Sequence, residues 1–71
     1  MTDHILHLLD ELDAFELNVR LFPDSANVYD SLGEAYAAIG DKSRAIKNYE
    51  KSLELDPKRE SGKAALAKLK E

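Results

Sequence analysis

A chain of 71 residues has room for one domain, and a single core this small is marginal unless a staple, a metal or a partner subunit adds to it. It is 44% hydrophobic and 34% charged with no cysteine, a globular composition that excludes a disulfide framework. The net charge of −4 suits a phosphate backbone poorly, and no apolar run approaches the roughly 20 residues that cross a bilayer, so neither nucleic acid nor a membrane is an expected partner.

The predicted elements are four helices, in chain order. The first spans Asp3 to Leu21, where Ile5, Leu8, Leu9, Leu12, Phe15, Val19 and Phe22 recur every three or four residues and so share one face. Thr2 or Asp3 caps its start, and Pro23 stops it by removing a backbone donor and forcing Phe22 towards extended geometry. The second helix spans Asn27 to Ile39 after a cap at Asp24 or Ser25, with a buried stripe of Tyr29, Leu32, Gly33, Tyr36 and Ile39. Gly40 ends it, because glycine takes a left-handed cap without steric cost. The third spans Lys42 to Leu55, capped by Asp41 and closed by Asp56-Pro57, with Ala45, Ile46, Tyr49, Ser52 and Leu53 facing inward. The fourth spans Glu60 to Lys70 and has a weaker apolar side of Ala64, Ala65, Leu66 and Leu69. Links of a few residues force antiparallel neighbours, and no segment alternates with period two, so the expected fold class is all-α, built of antiparallel helix hairpins.

Charge is divided along the chain. Residues 1–35 carry −7 and residues 36–71 carry +3. An acidic front and a basic back attract each other within one molecule or head to tail between molecules, or remain two ordinary solvated faces.

Pro23 and Pro57 stand 34 residues apart, and between them runs Tyr29-x2-Leu32-Gly33-x2-Tyr36, then Ala45-x3-Tyr49. This pattern resembles the tetratricopeptide repeat, W-x2-L-G-x2-Y…A-x3-F…P with a period of 34, with Tyr29 standing for the Trp and Tyr49 for the Phe. The resemblance covers residues 26–59 fully and implies a helix pair in which the small Gly33 and Ala45 let two backbones approach. The first helix, residues 3–22, falls where the second helix of a preceding repeat would lie, although Glu11 sits where the family prefers a small Ala. Residues 60–71 fall where a following repeat begins; Leu66-Ala67 occupies the Leu-Gly step, Lys63 replaces the aromatic, and the helix reads as a polar cap. The whole chain, 1–71, is therefore expected to be a single four-helix fragment of an αα-superhelix, short of the roughly three repeats that such arrays need for independent stability.

Two faces are candidate binding surfaces. On the first helix, Leu6, Leu17 and Leu21 lie off the main apolar face, where a preceding helix of a repeat array would cover them, and self-association through them is the expectation. On the second helix, the resemblance implies a peptide groove lined by Asn27, Asp30, Glu34, Ala37 and Ala38, with Lys58 and Arg59 at its rim. Many chaperone-adaptor members of the family hold a terminal carboxylate with a Lys and an Asn four residues apart. Asp30 and Glu34 stand there instead, so the expected ligand is a basic or mixed peptide rather than an acidic tail.

No catalytic constellation, metal site or cofactor is expected. His4, His7 and Glu11 share a face at i, i+3 and i+7 but sit on a first turn that frays. The five serines have no histidine base at a recognisable spacing, and there is no Gly-rich phosphate loop. The third helix carries Lys42, Arg44, Lys47 and Lys51, a weak likeness to a DNA-reading helix that the acidic first half and the repeat pattern outweigh. The expected function is a non-catalytic protein-interaction or assembly module, cytoplasmic and self-associating as a homodimer. The alternative is an accessory repeat domain cut from a larger multidomain bacterial protein such as a hydrolase.

Overall fold

The computed structural model describes residues 3–71, and side chains from Glu11 onward. Four helices follow in order: α1 (Asp3–Leu21), α2 (Ala26–Ala38), α3 (Lys42–Leu55) and α4 (Glu60–Leu69). Among the described residues there is no strand. The α2–α3 pair makes the most extensive interface; α1 packs on α2 and α4 packs on α3. The helices stack in a slab of 40 × 31 × 16 Å, so each keeps one face towards solvent.

The ends of the helices follow from local chemistry. After Pro23, Ser25 is the N-cap residue of α2 by backbone geometry, although its side chain makes no capping bond. At the far end of α2, Gly40 takes φ 85°, its N–H donates to the Ala37 carbonyl at 3.1 Å, and the Asp41 N–H donates to the Tyr36 carbonyl at 2.9 Å. These two bonds are the Schellman pair, and the left-handed residue that they require is the expected glycine. Asp41 then caps α3, accepting from the Arg44 N–H at 3.2 Å and from its guanidinium at 2.7 Å. That pairing holds the Asp41 carboxyl below its usual range. After α3, the Asp56 side chain accepts from the Lys58 N–H at 3.3 Å, which turns the chain around Pro57.

The core is small and centred on the α2–α3 contact. Leu32, Ala45, Tyr49 and Ser52 are buried, as are Gly33 and Gly62. A Cβ on Gly33 would stand 3.1 Å from the Tyr49 ring, so the ring packs flat on bare helix backbone. Gly62 plays the same part between α4 and α3, where a Cβ would stand 3.3 Å from Leu53. Ser52 is fully buried, and its hydroxyl donates to the Ala26 carbonyl across the helix pair at 2.8 Å. A polar group is tolerated at that depth because its bond is complete.

Three inward assignments do not hold. Phe22 is 58% and Ile39 40% exposed, and Ala64 is exposed too. Phe22 and Ile39 stand just past the ends of α1 and α2, where no neighbouring element covers every side, and Ala64 lies on the solvent side of α4. Ile5, Leu8 and Leu9 lie outside the described side chains. No described helix is long and apolar enough to cross a membrane.

Candidate functional site

Three of the residues expected to line a groove along α2, Asn27, Asp30 and Arg59, are tied to one another by hydrogen bonds. Arg59, at the start of α4, donates from Nε to Asp30 at 2.7 Å and from a terminal nitrogen to Asn27 at 2.9 Å. The Ser61 hydroxyl donates to the same Asp30 oxygen at 2.9 Å. Asp30 and Arg59 are both mostly shielded, with side chains 14% and 25% exposed, so this is a tied-down pair rather than two free groups. It fixes the start of α4 against α2. Of the two carboxylates expected to repel an acidic ligand, only Glu34 stays exposed without such a pairing; Ala38 and Lys58 are exposed and Ala37 is half-buried. The sequence could not show this cancellation, because the partners are 29 residues apart.

In the α2–α3 core, burial raises the Tyr49 hydroxyl above its ordinary 10.0, helped by the negative charges of Asp30 and Glu34. A raised folded-state value means stability that is complete below pH 10 and is lost as pH rises past it towards the folded value. Tyr49→Phe, which restores the residue of the family pattern, is therefore expected to melt close to the parent at pH 7. It should melt above the parent at about pH 11, by thermal circular dichroism at both pH values.

A groove opens between α1 and α2 and was not read from the sequence. It encloses about 330 Å³. Glu11, Ala14 and Phe15 line it from α1, and Ser31, Glu34, Ala35 and Ala38 from α2. Its floor is aromatic and alanine carbon, with carboxylates on both helices. Beside it, Ala14, Leu17 and Leu21 follow at i, i+3 and i+7, which puts them along one edge of α1. Leu17 is 52% and Leu21 60% exposed, a row of bare apolar side chains next to an unfilled groove. Leu6, the third residue expected in that row, lies outside the described side chains, as do His4 and His7. Among the described residues no group of three metal-ligating side chains forms.

The α1 helix is held in place on its other side. The Tyr36 hydroxyl donates to Glu16, and this bond, with burial and the Glu16 charge behind it, raises the Tyr36 hydroxyl above its usual value. Of the four α3 bases, Arg44 is bound to Asp41 at 2.7 Å and Lys51 lies 3.5 Å from Glu54, while Lys42 and Lys47 are exposed.

Comparison with known proteins agrees with this geometry. Residues 26–59 match the sequence model of the tetratricopeptide repeat. The chain is 46% identical over 61 residues, 86% of its length, to the Hsp70-Hsp90 organizing protein of Triticum aestivum. It is 40% identical over 62 residues, 87% of its length, to the Superkiller protein 3 of Schizosaccharomyces pombe. It spans only 10% of the first relative and 4% of the second. Repeats of this kind generally mediate protein–protein contact without catalysis. Through residues 26–59, with a helix packed on either side of them, this chain belongs to the tetratricopeptide repeat family.

Proposed function

We propose that this chain is a non-catalytic assembly module that binds protein through its helix faces and self-associates through α1. The observation that carries the reading is the bare edge of Leu17 and Leu21 beside the open α1–α2 groove. In a chain with so small a core, covering that edge contributes both affinity and stability, since burying apolar area is worth about 25 cal/mol per Å². The α2 face adds a site for an extended peptide. With Asp30 neutralised by Arg59, Glu34 sets its sign, which favours a basic or mixed peptide over an acidic tail. Neither nucleic acid nor a membrane is a partner in this reading, and the protein works in the cytoplasm.

Light scattering over a wide concentration range tests it. The apparent mass is expected to rise above the 7.9 kDa monomer as concentration increases, and Leu17→Glu is expected to return it to the monomer. A folded chain that stays at monomer mass throughout removes the self-association reading. The second reading is an accessory repeat domain of a larger multidomain protein. In that case residues outside these 71 supply the cover for α1.

A further inference from the structure

The open α1–α2 groove has a specific occupant: we infer that it receives α4 of a second copy, so that molecules join head to tail. The inference rests on the self-association reading and deepens it. The 34-residue period locates the fit. Within one chain, Gly33 of α2 packs on the Tyr49 ring of α3. Moved by 34 positions, Gly33 corresponds to Ala67 on α4, and Tyr49, moved back by 34, corresponds to Phe15 on α1. Ala67 is exposed and Phe15 lines the groove, so each has the shape for a contact that its own chain does not make. Seated there, α4 of one copy and α1 of the next complete a helix pair like α2 and α3.

Charge points the same way. In the complete repeat, Tyr36 lies beside Arg44 and Tyr29 beside Lys51, one at each end of the α2–α3 contact; moved by 34 positions, Tyr36 corresponds to Lys70 on one copy, and Ala45, next to Arg44, corresponds to Glu11 on the other. Lys70 and Glu11 thus place opposite charges at the same end of the junction. Over the whole chain the acidic first half, −7, meets the basic second half, +3. A contact between two different patches is heterologous, and it leaves one open groove and one free α4 at the ends of every assembly.

Two substitutions at exposed alanines separate the two patches while leaving the helices intact. Ala14→Lys places a base in the groove against the lysines of an incoming α4. Ala67→Glu places an acid and extra bulk on α4 at the point of closest approach. Sedimentation velocity is run on each variant alone and on their equimolar mixture, with helical circular dichroism as the folding control. The parent is expected to grow past two copies, and each variant alone to associate at least about thirtyfold more weakly. The mixture is expected to regain association, since each variant retains the patch that the other has lost. Parent-like association of Ala67→Glu, or a mixture that stays monomeric while the parent associates, overturns the head-to-tail contact and leaves self-association by another face standing. A parent that is itself monomeric at every concentration removes both readings. The groove then belongs to a helix of a longer chain or of another protein.

Discussion

Tyr49→Ala is expected to unfold the chain at 25 °C. Tyr49 is the largest side chain in the buried set and lies flat on the α2 backbone at Gly33. Truncating a buried aromatic to alanine costs about 3–5 kcal/mol, from lost transfer energy and from the cavity left behind. A single core below about 70–80 residues rarely supplies more than about 3–5 kcal/mol in total. The two quantities are the same size, so little folded chain remains. The site cannot collapse to fill the hole, because Gly33 has no side chain to move into it. Urea titration followed by helical circular dichroism checks this at a concentration low enough to exclude association. The parent should give a sigmoid, and the variant a signal already near the unfolded baseline without denaturant. A cooperative variant transition within a few tenths of a molar of the parent midpoint would place the core elsewhere. The Tyr49→Phe variant keeps the ring and isolates the hydroxyl, so the contrast between the two separates packing from ionisation.

Gly33→Val approaches the same contact from the opposite side. The first added carbon would stand 3.1 Å from the ring, closer than an ordinary van der Waals contact, and two methyl groups would extend beyond it. Overpacking of this kind costs about 1–3 kcal/mol, and the branched side chain gains little helix propensity to offset it. The ring has little freedom to retreat, since Tyr49 is only 5% exposed. A fall in the urea midpoint that corresponds to about 2 kcal/mol is expected. Gly33→Ala is the calibrating variant: its single carbon asks the ring to give by a few tenths of an ångström, while alanine in place of glycine contributes up to about 1 kcal/mol of helix propensity, so its net effect should be small. Equal tolerance of Ala and Val would mean that the two helices stand further apart than the geometry places them.

These contacts show how much of the protein can be read from its residues in order. The helix boundaries, the glycine cap after α2, the aspartate cap of α3 and the small Gly33 and Ala45 at the helix contact all follow from signals that act within a few residues or match the repeat pattern; that the Tyr49 ring lies on Gly33 came from the packing. Backbone satisfaction at a helix end and the facing of residues three and four apart are local physics, so the order of the chain determines them. The tertiary structure decided what depends on neighbours. Apolar periodicity marks Phe22 and Ile39 as inward, but their exposure depends on whether another element reaches the helix end. Asp30 looks like a free groove carboxylate until the turn at Pro57 brings Arg59 and Ser61 against it. Ser52 reads only as a small residue on a packed stripe until the Ala26 carbonyl arrives from another helix to accept its proton. The α1–α2 groove belongs to neither helix alone. Charge pairing, buried hydrogen bonds and open space are properties of two surfaces at once, and the position of the second surface is set by the chain reversal and not by the residues that it comes to meet.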